Sequence, residues 1–273
     1  MLWTAERRQE LEALWAAGTR PAVIQRLMGI TPGSLSGCIV RWNLHRHPKR
    51  IHRDPLAAHV IEGRTKYPAR VSAEGAALKP GSYQWKIGGR VHKGKWRGMP
   101  IFALTLEERA TCPRDCALWV NCYGGGMNFA VRMPHGPALE RQLWGELTSM
   151  QKRYPGGFVV RLHVLGDFYS LGYFELWREA LDAFPALRVF GYTARQPGSR
   201  IGAAIAELRD EQWDRFAMRT SGALDGPRTM VIDREADKPA GVILCPAQTG
   251  KTRSCGTCAL CWATKKDIAF LRH

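Results

Sequence analysis

Apolar positions recur at helical spacing three times within the first 42 residues: Leu11, Leu14 and Trp15, then Val23, Ile24, Leu27 and Met28, then Leu35, Cys38, Ile39 and Trp42. Each run carries its own start and stop signals. Thr4 is placed to cap the first helix with Glu6 in its first turn, Gly18 ends it, Pro21 opens the second, Gly29 closes that one, and Thr31 with Pro32 opens the third. Three short helices with a tight second turn predict a helix-turn-helix, whose last helix enters the major groove of DNA. A trihelical bundle that docks on protein has the same pattern. In the DNA-binding case Ser34, Ser36 and Arg41 face outward toward the partner, while Cys38, on the apolar stripe, is a core residue.

Beyond residue 98 the period changes. Residues 101–106 read as a strand, Leu139, Leu143, Leu147 and Met150 mark a helix, and 158–165 is mostly apolar, as a strand covered on both faces should be. Ser170 is placed to cap a helix with Tyr173, Leu176, Trp177, Leu181 and Phe184 on its buried side, and Pro185 stops it. A strand over 187–193 follows, then a helix marked by Ile201, Ile205 and Leu208, then strand-like pieces at 216–219, 230–233 and 242–245. Strands alternating with helices predict an α/β fold built on a parallel sheet, as a partial barrel or an open sheet. In such folds the loops after the strands carry the site.

Seven of the eight cysteines fall in two groups. The first, ATCPRDCALWVNCYGGG, follows the strand at 101–106 and holds Cys112, Cys116 and Cys122. The second, LCPAQTGKTRSCGTCALCW, holds Cys245, Cys255, Cys258 and Cys261. Thiols gathered this closely, in a chain whose N-terminus carries charges where a signal peptide needs an apolar stretch, predict metal ligands in a reducing cytoplasm rather than disulfides. Four cysteines close a tetrahedral zinc site or a 4Fe-4S cluster, whereas three leave one metal position open to water, substrate or a cofactor. The spacing does not choose between iron-sulfur and zinc. His135 and His273 are candidate fourth ligands for the open group, while His163, within an apolar strand, reads as a core residue. Gly250-Lys251-Thr252 is no phosphate loop, because Cys245 stands where its first glycine belongs.

Charge sharpens the division into domains. Residues 1–40 hold four Lys/Arg against three Asp/Glu, 41–98 hold fourteen against three, and 99–273 hold twenty-two against eighteen, within a net charge of +16. The excess therefore sits in a join that has prolines at 48, 55, 68 and 80 and little periodicity. It reads as a basic connector over 47–98, between a DNA-binding domain at 1–46 and a cysteine-rich α/β domain at 99–273. Lys49, Arg50 and Arg53 are placed to reach flanking phosphates. Trp85 and Trp96, among lysines and arginines, are placed either to stack on bases of single-stranded nucleic acid or to form an edge hairpin packed on the main domain. No apolar run approaches the ~18 residues of a membrane span, so no membrane partner is expected.

The stretch WTAERRQELEALWAAGTRPAVIQRLMGITPGSLSGCIVRWNLHRH resembles the N-terminal DNA-binding segment of the GcrA-type cell-cycle regulators, with matches at Trp3, Thr4, Glu6, Arg7, Leu14, Trp15, Gly18, Ile24, Leu27, Gly37, Arg41 and Leu44. That resemblance implies sequence-directed DNA binding. The three-cysteine loop after a first strand resembles the radical SAM enzymes, in which such a loop holds a 4Fe-4S cluster whose open iron binds S-adenosylmethionine. The spacing departs from that family: it is C-x3-C-x5-C here, against the usual C-x3-C-x2-C. The resemblance implies that Asp167, after Gly166, accepts hydrogen bonds from the cofactor's amino group, and that Gly124, Gly125 and Gly126 allow its close approach. Outside that context Asp167 is a helix-start acid. TCPRDCALWVNCYGGG, RLHVLGDFYSLGYFELWREAL, VFGYTAR and GTCALCWATKKDIAFLRH, in this order, resemble the phage protein family named after mycobacteriophage gene product 88, which implies a phage or prophage origin. The function expected from all of this is a phage-type DNA-binding protein that brings an iron-sulfur α/β domain to nucleic acid. The competing expectation is a non-enzymatic transcriptional regulator with structural zinc or redox-sensing iron-sulfur sites.

Overall fold

The computed structural model describes residues 3–272 apart from Gly18, Asn43, 45–53, Leu224 and Asp225. Contacts divide the chain into two units, 1–53 and Asp54–Arg272.

The first unit holds three helices, α1 (Ala5–Ala16), α2 (Pro21–Met28) and α3 (Pro32–Arg41). Thr4 caps α1 by accepting from the Arg7 amide, and Thr31 caps α3 by accepting from Ser34. Gly29 ends α2 in the left-handed conformation at φ +61°, which glycine adopts without the Cβ penalty. Leu11, Trp15, Ile24, Met28, Ile30, Leu35 and Cys38 close a small core, so Cys38 is the core residue its position predicts. Leu27, expected inside, is 62% exposed. The buried stripe of α2 runs through Ile24 and Met28 instead. Ser36 and Arg41 are exposed and Ser34 is half-buried. Lys49, Arg50, Arg53 and the helix stop expected at Gly18 lie outside the described residues.

The second unit is an α/β structure around an eight-stranded, mostly parallel sheet in the order β1-β2-β3-β4-β5-β6-β8-β7. A short helix α4 (Ala58–Ile61) precedes β1 (Leu78–Pro80), which pairs antiparallel with β2 (Ile101–Leu104). Then come α5 (Pro137–Arg153), β3 (Phe158–Leu162), α6 (Leu171–Ala183), β4 (Leu187–Thr193), α7 (Arg200–Glu211), β5 (Phe216–Ser221) and β6 (Arg228–Ile232). The chain closes with β7 (Ile243–Leu244), α8 (Cys255–Cys258), α9 (Leu260–Ala263) and β8 (Ile268–Leu271). Strands β2 to β5 are neighbours in chain order, and each step between them runs through one long helix. Crossovers of one hand then put all three helices on one face. The packing agrees: the stripes Leu139, Leu143 and Leu147 of α5, Tyr173, Phe174 and Trp177 of α6, and Ile205 and Leu208 of α7 share one core with Phe158, Val160 and Leu162 of β3. Each fully buried leucine of that stripe contributes about 1.5–3 kcal/mol.

The opposite face is covered by irregular chain, with Ile87, Val91, Trp96, Cys245, Cys261 and Trp262 packed over Val159, Phe190 and Ala217. Here the structure corrects the expected connector. From Asp54 onward the basic join belongs to the α/β unit, and Trp96, 3% exposed, stacks on Trp262 at 5.2 Å. Trp96 therefore follows the packed alternative, while Trp85 stays exposed with the Lys86 ammonium over its ring. Strands β2 and β3 stop short of their expected ends, and β1 and β8 were not predicted, because pieces of three or four residues carry too few alternations to show a period. Among the described residues no helix is long and apolar enough to cross a membrane.

Candidate functional site

The loops after β2, β3 and β4 are tied together at one edge of the sheet. Asp167, 2% exposed after β3, accepts from its neighbour Phe168 N at 2.8 Å, from Thr193 Oγ1 at 2.7 Å and from Ala194 N at 2.7 Å. Its own amide donates to Thr111 Oγ1, next to Cys112, at 3.1 Å, and Arg195 bridges Phe168 O and Thr111 O. Burial pushes the Asp167 carboxyl up to about 6 against the pull of these donors. Asp167 is thus not a helix-start acid, since Ser170 caps α6 by accepting from Tyr173 N. Its carboxylate, already accepting three hydrogen bonds, ties the ends of β3 and β4, and its amide adds the loop after β2. Gly166 adopts φ +84°, and a Cβ there would lie 2.5 Å from Thr111 Oγ1. A Cβ on Gly124 would crowd Glu108 and Leu165 at 3.0 Å, whereas Gly125 and Gly126 have nothing within 4 Å of that position. The close approaches at Gly124 and Gly166 are made by the protein itself.

The first cysteine loop is braced from below by charge. Glu108 and Arg132 are both fully buried and paired, Nε to Oε2 at 2.6 Å and Nη2 to Oε1 at 3.1 Å. Thr65 Oγ1 donates to the same carboxylate, and Arg132 also donates to the carbonyls of Gly124, Met127 and Ala130. Every donor of the guanidinium is used, which is what a buried pair needs to be tolerated. The segment around α4 completes the support: Trp119 Nε1 donates to Val60 O, Arg114 to Ile61 O and Arg109 to Arg64 O. Cys112, Cys116 and Cys122 are half-buried free thiols. Burial raises all three, Cys122 to about 11, and the Asp167 carboxylate raises Cys112 and Cys116 further.

The second group is assembled from more distant pieces. Cys245 directly follows β7, its amide donating to Ala269 O of β8, while Cys255, Cys258 and Cys261 come from α8 and α9. All four line one small cavity with Pro246, Ala247, Ala259, Leu260 and Ile268. Ser254 caps α8 and exchanges hydrogen bonds with Thr257. The segment 86–92 holds the turn, because Cys255 N and Gly256 N donate to Lys86 O and Ile87 O and His92 N donates to Gly256 O. Burial raises Cys245 to about 11 and raises Cys255 and Cys261 as well. For Cys261 the Tyr192 hydroxyl, 2.8 Å from its Sγ, and then Arg219 and Arg161 act in the opposite direction.

Those arginines stand out. Arg161 on β3 is 7% exposed and Arg219 on β5 is 0% exposed, and among the described residues neither has a carboxylate within ion-pair distance. Arg161 lies 4.3 Å from the Tyr192 ring centroid and donates to Leu162 O. Arg219 donates to the carbonyls of Cys261, Thr264 and Lys266. Asp267, the carboxylate that acts on Arg219, is paired with Arg228 at 2.5 Å. The register sets Arg161 opposite Phe190 and Tyr192 opposite Arg219, so the two cations and the tyrosine form a row across the face that carries the second cysteine group. Their sequence signal was a lone arginine inside each of two otherwise buried strands, FVVRL and FAMRTS.

As the side chains stand, no group of three or more His, Cys, Asp or Glu among the described residues is arranged to hold a metal ion, so the expected metal-binding geometry is not formed. His163 is buried, its Nε2 3.0 Å from Tyr173 Oη, with burial holding its pKa down at about 3. Its Nδ1 has no hydrogen-bond partner. His135 is exposed beside Tyr169, and His273 lies outside the described residues. No protein-family model, curated protein or solved structure matches this chain.

Proposed function

We propose that this chain is a DNA-directed iron-sulfur protein. In this reading the three N-terminal helices act as a helix-turn-helix, with Ser34, Ser36 and Arg41 toward DNA and Lys49, Arg50 and Arg53 on flanking phosphates. The α/β unit then works on or near nucleic acid. The observation that carries it is that Cys245, Cys255, Cys258 and Cys261 line one cavity, with two buried arginines acting on Cys261 that have no carboxylate partner among the described residues. Four buried thiols are costly to ionise, and two buried cations are costly to leave unpaired. An anionic metal-thiolate centre resolves both at once. Cys245, Cys255, Cys258 and Cys261 supply the four thiolates that a 4Fe-4S cluster takes.

Cys112, Cys116 and Cys122 would hold a second cluster with one iron open. When bound, such clusters supply single electrons, and an open iron supplies a position for an exogenous ligand such as S-adenosylmethionine. Gly124, Gly125, Gly126, Gly166 and Asp167 line the loops nearest that position. A second reading, a regulator with structural zinc and no catalysis, is favoured by one observation: the Asp167 carboxylate is already engaged by three donors of its own chain.

Protein purified without oxygen and analysed for metal, sulfide and absorbance decides between them. Iron and sulfide at about eight each, with a spectrum that changes when S-adenosylmethionine is added to the reduced sample, is the expected result. Zinc without sulfide overturns it in favour of the regulator. DNA binding is checked by anisotropy on the full chain, where the affinity should fall linearly on a log scale with salt.

A further inference from the structure

The four-cysteine centre proposed above is the reading on which this inference rests. A cluster of iron and sulfide held by four thiolates is anionic, and it gains one more negative charge when it accepts an electron. Its potential therefore depends on what charge and which hydrogen bonds the protein fixes beside it. Around this group the fixed charges are of one sign. Arg161 and Arg219 approach from the sheet, both buried and both without a carboxylate among the described residues. Tyr192 stands between them in the register, its ring under the Arg161 guanidinium and its hydroxyl on Cys261 Sγ. Arg219 meanwhile grips the carbonyl of Cys261 itself. Arg132 in the same unit, by contrast, is paired with Glu108.

We propose that Arg161 and Arg219 are the built-in counter-charge of the centre held by Cys245, Cys255, Cys258 and Cys261, that the Tyr192 hydroxyl donates a hydrogen bond to it, and that together they raise its reduction potential. The stabilisation is larger for the more negative, reduced state, so the row favours electron uptake.

The test is a redox titration of the full chain, loaded with iron and sulfide without oxygen. Dithionite supplies the electron, and the reduced cluster is read by electron paramagnetic resonance. Variants of the first loop, Cys112→Ala with Cys116→Ala and Cys122→Ala, leave the second centre as the one observed. In that background Arg161→Met is expected to lower the potential by about 59 mV, a tenfold loss in a one-electron reduction equilibrium. Tyr192→Phe should lower it by less, and Arg161→Lys should retain most of it. A loaded Arg161→Met protein with the parental potential overturns the proposal. If Arg161→Met takes up no cluster, Tyr192→Phe decides, and an unchanged potential there overturns it equally. A parent chain that takes up no iron and sulfide overturns both this inference and the iron-sulfur reading, and the metal and sulfide analysis tells that outcome from a loaded cluster whose potential does not move.

Discussion

The two cysteine groups are held by opposite means. The three-cysteine loop is half-buried, strapped by hydrogen bonds and a buried ion pair, and its nearby fixed charges include the carboxylates of Glu108 and Asp167. The four-cysteine group is packed among Trp96, Trp262 and Phe190, with arginines as its charged neighbours. A loop secured by polar straps keeps its thiols half-buried. A group secured by aromatic packing is sealed and electrostatically compensated. On the iron-sulfur reading proposed above, the exchangeable centre belongs at the first site and the electron-holding one at the second.

That contrast is most directly broken at its polar end. Arg132→Ala leaves Glu108 buried and unpaired, and is expected to cost about 3–5 kcal/mol in urea unfolding of the metal-free protein. A loss under about 1 kcal/mol would mean that the first loop does not depend on the pair. Next comes pH. The folded carboxyl of Asp167 is raised to about 6 from an ordinary value of 3.8, so the folded state binds the proton more tightly than the unfolded chain. Its contribution is fully present below about pH 4 and is lost as pH rises through about 6, amounting to about 3 kcal/mol. Unfolding of the metal-free chain measured from pH 4 to 7 should show that decline, and Asp167→Asn should flatten it from a lower starting stability, because one amide N–H would face the Ala194 N–H. The smallest effect is expected at the packed end. Ser254→Ala removes the cap of α8 and should cost about 1 kcal/mol in a thermal melt, since the surrounding apolar contacts remain. A much larger loss would show that the second group, too, hangs on a hydrogen bond.

Much of this was legible beforehand, and what was not shares one cause. The helices at α1, α2, α3, α5, α6 and α7 follow from apolar spacing and from caps such as Thr4, Thr31 and Ser170, all of which act within a turn or two of chain. β4 over 187–193 follows from a run of apolar residues bounded by proline and polar turns. The join after residue 53 was misread because segments such as 58–67 and 81–98 have no period of their own. They are held by contacts with distant chain, such as Trp119 Nε1 on Val60 O and Cys255 N on Lys86 O, which no local pattern records.

The sequence by itself determined the alternation of strands and helices, the two cysteine groups with their spacings, and the apolar faces that drive the layers together, because each of these is a local pattern. Only the tertiary structure decided that Cys245 joins Cys255, Cys258 and Cys261 at one cavity, that Asp167 is a strap between strand ends, and that Arg161, Tyr192 and Arg219 form a row across one face. Strand register and crossover packing bring together residues far apart in the chain, as Trp96 and Trp262 are, and no local period records which partner a buried charge will meet.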